Sequence, residues 1–525
     1  MPRLTTALPS PHEVDIALAR LREEPSLPVP PSIDRTARAA IWQAMRRAWR
    51  AVTPETRHDL SPGSRQVTVC RVPAAQSWAL PLNVAGYGVV AHLCQGASPR
   101  CRVEIVGRGS FIYGDDNAVF GRWDSLVAVD RTGRLISLFA GHGGEIIPGR
   151  LADHVDRLRE YVRTGVARPV QLDIDPTMAC PSACTFCFSA GYRSSRRTGL
   201  HLRGQLLSEL VDGWADRGVR VVRFDGGGDP LAHPQLLAAI DTARRRGLRT
   251  AVLTAADLLR QVHLEPLLAA RTYLRVSLNA GDDATRLAIH RPRNQRLTLT
   301  EPLRIVRRLA DQRAERYGPA GPALMPIGAT SMLVPENADG AYAIAQQAKR
   351  AGFDHLSFRV VLGAQHAVRF SAAARKKLAA QVAQARADLA DDGFQIFTPT
   401  RPLTDQGYRP STYFDTCLAC THRVLVEVGP DQDTAAVVPC GRYRGHGFQW
   451  SPQRAQQRVF GLLASAADID RVWHSPTMTE LVERFPAACG DCIDRSANVM
   501  FNAIVGALRS DAEARFFRFR ATGRK

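Results

Sequence analysis

From Pro169 onward the chain changes rhythm, and that change limits what it can fold into. Short apolar runs at 170–174, 219–224, 250–253, 273–278, 329–334 and 355–361 are separated by stretches long enough for a helical crossover, among them 204–217, 234–246 and 339–351. Strands alternating with helices build a parallel sheet. The expected fold class is α/β. One more helix is predicted over 372–391.

Just after the first run stands Cys180-Pro-Ser-Ala-Cys184-Thr-Phe-Cys187. A tight turn at this spacing can bring three sulfurs to one centre, which suits a cubane iron–sulfur cluster held by thiolates. No fourth cysteine lies nearby, and an open coordination position marks a reactive metal site. Zinc prefers four tetrahedral ligands, so a clustered trio fits it poorly. A disulfide framework belongs to small secreted chains, not to one of 525 residues. Downstream, Gly226, Gly227 and Gly228 close the second run and are followed by Asp229. Glycines at a strand end let backbone approach a ligand closely, in the position where α/β folds bind ligands. A carboxylate at Asp229 suits an ammonium group, while Ser277 and Asn279 suit hydroxyls and a carboxylate. Alone, the glycines would be an ordinary turn.

The order Cys-x3-Cys-x2-Cys, with Phe186 before the last cysteine, resembles the signature of the radical S-adenosylmethionine (SAM) superfamily. Three later segments agree in order and spacing. Arg223-Phe-Asp-Gly226-Gly227-Gly228-Asp229-Pro230 resembles the strand-end motif that contacts the methionyl amino group. Val276-Ser277-Leu278-Asn279-Ala280-Gly281 resembles the strand that contacts the SAM ribose and carboxylate. Leu333-Val334-Pro335-Glu336-Asn337 resembles the end of the fifth strand, near adenine. Two positions depart from the pattern: Asp229 stands where the motif usually ends in Glu, and Thr254-Ala255-Ala256 where Thr-Asn-Gly is common. The resemblance spans residues 169–363 and implies a partial (β/α)6 TIM-like radical SAM barrel. It also implies a 4Fe–4S cluster on Cys180, Cys184 and Cys187, with Phe186, Gly227, Gly228, Asp229, Ser277 and Asn279 around SAM. The implied chemistry is reductive cleavage of SAM to a 5′-deoxyadenosyl radical that takes hydrogen from an unactivated carbon. A flavodoxin- or ferredoxin-type protein is the implied electron donor.

A second set, Cys417, Cys420, Cys440, Cys489 and Cys492, lies toward the C-terminus. Residues 424–428 and 435–438 around Gly429-Pro-Asp read as a hairpin whose end returns Cys440 toward Cys420. A hairpin and a distant Cys-x2-Cys loop also describe a zinc ribbon, which stays open as a reading. Beside the first motif, the set resembles the auxiliary-cluster domains called SPASM or, when shortened, twitch. That resemblance implies one auxiliary 4Fe–4S cluster, with five cysteines for four places and the choice between Cys417 and Cys420 open.

The expected domains are 1–165, an N-terminal α+β unit of unknown role; 166–400, the barrel; and 401–525, the auxiliary-cluster domain. In the first, a helix is predicted over 33–52 and a hairpin over 125–139, and Cys70, Cys94 and Cys101 read as structural thiols. The start of the chain lacks a secretory pattern and no run of about 18 apolar residues occurs, so a cytoplasmic protein without a membrane partner is expected. The net charge is +19, yet only four of the 69 basic residues are lysine and the arginines are spread along the helices. A solvated basic surface explains that better than a nucleic-acid site. Alternation along 355–361 puts Leu356 and Phe358 on one face and Arg359 on the other, so Arg359 is a candidate catalytic or substrate-contact residue, with an ion pair to Asp173 or Asp175 as the plain alternative. The expected function is hydrogen abstraction from a small polar metabolite, aminosugar- or nucleoside-like, ending in oxidation, epimerisation or dehydration. A radical SAM maturase of a precursor peptide is the second reading, and a non-catalytic iron–sulfur or zinc protein that binds RNA the third.

Overall fold

The computed structural model describes strand backbones between residues 70 and 140, then residues 155–187, 199–294, 298–361, 370–391, 393–397, 416–445 and 459–480, with a few single positions besides. The chain forms two units, one of residues 1–144, 412–414 and 496–525, the other of residues 145–411 and 415–495.

In the first unit the described strands make two antiparallel sheets. One holds β1 (Cys70–Val72), β2 (Ser77–Val84), β3 (Tyr87–Cys94) and β4 (Arg100–Arg108); the other holds β5 (Ser110–Tyr113), β6 (Ser125–Val129) and β7 (Leu135–Ala140). The hairpin predicted over 125–139 is β6 and β7, paired with Leu126 opposite Phe139. The helix predicted over 33–52 lies, except for Gln43, outside the described residues.

The second unit is built on an open sheet of ten strands, mostly parallel, consistent with a partial TIM-like barrel. All six predicted runs are strands: β8 (Gln171–Asp175), β9 (Val221–Phe224), β10 (Arg249–Thr254), β11 (Tyr273–Ser277), β12 (Ile327–Leu333) and β13 (His355–Val360). They lie side by side in chain order, followed at one edge by β14 (Gln395–Phe397). At the other edge β15 (Arg423–Val428) runs parallel to β8, with Val424 opposite Leu172, and β16 (Ala435–Val438) and β17 (Gly461–Leu463) continue antiparallel. The hairpin expected in the last domain therefore exists, but it extends the barrel sheet.

Alternation explains what each face does. Leu172, Ile174, Val222, Phe224, Leu274, Val276, Leu356 and Phe358 enter one buried core together with the helices. After a first helix, α1 (Val155–Thr164), helix α2 (Gly204–Asp216) presents Leu206, Leu207, Leu210, Val211 and Trp214 to it, the stripe that a 3.6-residue period puts on one side. Burying each such side chain contributes roughly 1.5–3 kcal/mol. Trp214 meets Trp473 edge to face with ring centroids 5.3 Å apart. Crossovers end tightly. At the end of α3 (Leu236–Arg245), Gly247 takes φ +69°, which an L side chain rarely adopts, and Leu248 N–H bonds back to Ala243 O at 2.9 Å before β10 begins. Four further helices are α4 (Gln261–Ala269), α5 (Asp283–His290), α6 (Thr300–Tyr317) and α7 (Ala341–Arg350), and α8 (Ala372–Leu389) follows β13. Among the described residues no helix is long and apolar enough to cross a membrane.

Candidate active site

Beyond β8 the backbone turns into the cysteine loop, and the glycine turn after β9 holds it. Gly228 N–H donates to Thr177 O at 2.9 Å and Asp229 N–H to Ala179 O at 2.8 Å. A Cβ on Gly228 would stand 2.1 Å from Ala179 O, so only glycine permits this approach. The sequence reading reserved that closeness for a ligand; at Gly228 the loop leading to Cys180 occupies it. On its other side the loop rests on the end of α5: Ala183 N–H donates to His290 O and Thr185 N–H to Ile289 O, both at 2.9 Å. Cys187 N–H closes the turn on Cys184 O at 3.1 Å.

Cys180, Cys184 and Cys187 are each partly exposed. Among the described residues no three His, Cys, Asp or Glu side chains converge as a single ion would need. In a cubane each thiolate binds its own iron, so the sulfurs stand apart around the cluster instead of meeting at a point. Three half-exposed thiols on one anchored loop fit that geometry. Of the second set, Cys420 is buried with its Sγ donating to Cys417 O at 3.0 Å, and Cys417 and Cys440 are half-buried. Cys489 and Cys492 lie outside the described residues.

The predicted SAM-contact residues separate into two groups. Asp229 is buried, and its carboxylate accepts from Thr254 Oγ1 at 2.8 Å, Ala255 N–H at 3.0 Å and Leu231 N–H at 3.0 Å. Burial pushes its pKa up to about 6 against the pull of those donors. Ala256, where Gly is common in the pattern, takes φ 62°. Ser277, the last residue of β11, is exposed, and Gly227 is buried beside the cysteine loop's glycine turn. Asn279 differs: it is 0% exposed, its Oδ1 accepts from Met332 N–H at 2.6 Å, and its Nδ2 faces His290 Nε2 at 3.2 Å. Asn337, from the segment likened to the adenine end, donates through Nδ2 to Asn279 O at 2.9 Å and to Met332 O at 2.8 Å. The Asn279 side chain is therefore engaged by the protein at both ends of its amide.

Sequence reasoning missed the residues behind the loop. His290 Nδ1 lies 3.7 Å from Cys184 Sγ, and the His290 ring meets Phe186 edge to face at 6.4 Å. Burial, then the nearby Arg286, pushes the His290 pKa down to about 4. Arg286 pairs with Asp257, the two 2% and 0% exposed, and Asp257 Oδ2 accepts from Ser182 Oγ at 2.9 Å. A lone histidine and a lone aspartate at these separations carry no spacing signal.

The inner face of the sheet is charged. Asp173 pairs with Arg223 and lies 3.7 Å from Arg423, and Arg444, from the turn after Cys440, reaches Asp175 at 2.8 Å and Asp225 at 3.0 Å. Gly445 N–H donates to Glu427 at 2.6 Å. Burial pushes Asp175 well up despite Arg444, whereas for Asp225 burial is overruled by Arg444, Arg223 and Arg275, which hold it well below the usual carboxylate range. Arg359 lies on this same face, since Leu356 and Phe358 are in the outer core. The acids named as its plain partners, Asp173 and Asp175, are engaged by Arg223 and Arg444.

Residues 174–321 match the family described as the Radical SAM superfamily. The chain thus carries a radical SAM domain and is a radical SAM enzyme, a class that implies a 4Fe–4S cluster and SAM. No curated protein matches the chain. Among solved structures it is similar to Streptococcus suis SuiB bound to S-adenosylmethionine, at 15% identity and a TM-score of 0.44 over 63% of this chain and 72% of that one. It is also similar to anSMEcpe with bound AdoMet and Cp18Cys peptide, at 14% identity and 0.42 over 63% and 88%. A third is BtrN in complex with AdoMet and 2-DOIA, at 12% identity and 0.27 over 60% and 87%.

Proposed function

We propose that this radical SAM enzyme acts on a small polar metabolite, aminosugar- or nucleoside-like, held against the inner face of the barrel sheet. The observation that carries this is the lining: Asp173, Asp175, Arg223, Asp225, Arg275, Glu427 and Arg444 place charges of both signs on that face. Such a surface offers donors and acceptors to hydroxyl and amine groups and offers little to an apolar molecule.

Cys180, Cys184 and Cys187 hold the cluster in this reading, with Gly227, Gly228, Asp229 and Ser277 beside SAM. When bound, the cluster and SAM supply one-electron cleavage of the sulfonium bond and a carbon radical able to take hydrogen. The chain's own residues fix the geometry. The glycine turn and the end of α5 clamp the cysteine loop, and the Asp229 carboxylate receives the SAM ammonium. Arg359 orients substrate through its planar fork. Cys440 and three others of the second set hold an auxiliary 4Fe–4S cluster, and a flavodoxin- or ferredoxin-type donor supplies the electron. The divisions 1–165, 166–400 and 401–525 correspond to an accessory unit, the catalytic unit and the auxiliary-cluster segment.

The test is anaerobic reconstitution followed by reduction with SAM present. About eight irons per chain are expected from two cubanes. Release of 5′-deoxyadenosine should vanish when the three loop cysteines are replaced by Ala. Deuterium transfer from a labelled aminosugar or nucleoside into 5′-deoxyadenosine identifies the substrate class. Transfer from a peptide alone would move the reading to a maturase.

A further inference from the structure

The hydrogen bonds around Asn279 fix a proton on the far side of a histidine. Met332 faces Asn279 through its backbone N–H, which can only donate, so the amide atom it meets is Oδ1. The other end of the amide is then the NH2 group, and it meets His290 Nε2 at 3.2 Å. An NH2 group can only donate, so Nε2 accepts, and a protonated ring would set N–H against N–H. The single ring hydrogen therefore sits on Nδ1, which faces Cys184 Sγ at 3.7 Å. His290 is held there by the Phe186 ring edge and by its own carbonyl, which accepts from Ala183 N–H in the cysteine loop.

We infer that His290 is a positioning residue that donates its Nδ1 hydrogen to the Cys184 thiolate, with its tautomer set by Asn279, and that this bond raises the reduction potential of the cluster. The inference rests on the reading in which Cys184 is a cluster ligand. A donor aimed at a ligand sulfur stabilises the extra negative charge of the reduced cluster, which is one of the levers by which proteins set such potentials. Asn279 then acts at the site through His290, and Asn337 braces Asn279 from the segment likened to the adenine end.

The experiment is an EPR-monitored redox titration of the reconstituted full chain, following the cluster signal that changes on adding SAM. His290→Leu keeps bulk and removes the donor; His290→Gln restores an N–H. About tenfold less reduced cluster at a fixed potential is expected for His290→Leu, a shift of about 59 mV for a one-electron couple, with recovery in His290→Gln. An unchanged potential in His290→Leu overturns the inference, and an equal fall in both variants does so too, because it assigns the effect to packing. Should His290→Leu fail to fold, pulsed EPR of the wild-type chain labelled with 15N-histidine decides: a nitrogen coupling that His290→Gln abolishes supports the bond, and no coupling refutes it. Failure of the wild type to assemble any cluster on the three loop cysteines would instead sink the functional reading.

Discussion

Gly228→Ala is the substitution for which the structure gives the sharpest expectation. The new methyl would lie 2.1 Å from Ala179 O, and ordinary contact begins near 3.4 Å, so the backbone before Cys180 must retreat by the difference, about 1.3 Å. Neither atom is the end of a flexible side chain. The retreat strains or breaks the bonds from Gly228 N–H to Thr177 O and from Asp229 N–H to Ala179 O. Two lost backbone bonds cost about 1–3 kcal/mol, and overpacking adds about 1–3 kcal/mol. Gly199→Ala serves as the control, because a Cβ there has no atom within 4 Å. Urea and thermal unfolding of the two variants, with iron bound after reconstitution, are the measurements. The expected result is a lowered midpoint and a depleted loop cluster in Gly228→Ala, with Gly199→Ala within about 0.5 kcal/mol of wild type. Wild-type stability and iron content in Gly228→Ala would refute the clamp.

Ala256 holds φ 62°, so Ala256→Gly should raise the unfolding midpoint by relieving about 1 kcal/mol of left-handed strain, and a drop would show that the turn needs the methyl. Arg286→Met leaves the Asp257 carboxylate buried without its cation and should cost about 3–5 kcal/mol, whereas adding Asp257→Leu should recover part of that; additive losses would argue against a coupled pair. Asp229 titrates near pH 6 because it is buried, and only its ionised form suits the SAM ammonium. Binding then requires loss of the proton below that pH, so SAM affinity should fall about tenfold per pH unit below 6 and level off above it. Asp229→Ala should bind SAM roughly ten- to hundredfold more weakly with a flat profile, and an unchanged dissociation constant would remove Asp229 from the site.

Most of the barrel was legible because its strands carry a local signal. Leu172, Ile174, Val222, Phe224, Leu356 and Phe358 are the outward half of each strand, and their spacing alone places β8, β9 and β13 to within a residue or two. The union of β15 with β8 was not legible. It pairs Arg423 with Gln171, far apart in the chain, and a strand's own sequence does not name its neighbour. At the site, the cysteine and glycine motifs were readable through fixed spacing. Asn279 was read as a ligand contact from its type and place, yet its amide serves Met332 and His290. Arg286 and His290 share a face of α5 at a spacing of four, but Asp257 and the cysteine loop reach them only through the fold.

The inner face of the sheet is where pattern and physics part most usefully. Alternating charge along Gln171-Leu-Asp-Ile-Asp175 is what a strand with one wet face shows, yet Asp173 and Asp175 are 2% and 0% exposed. Removing such charges from water is expensive, and paired ions often stabilise no more than apolar residues of the same volume would. Stability therefore does not account for Asp175, which one guanidinium must share with Asp225. A barrel selected for folding alone would fill this space with Val and Leu, as its outer face does. In the function proposed above, charges kept there at a cost to stability serve a polar, hydroxyl- and amine-bearing substrate, which an apolar face could not hold.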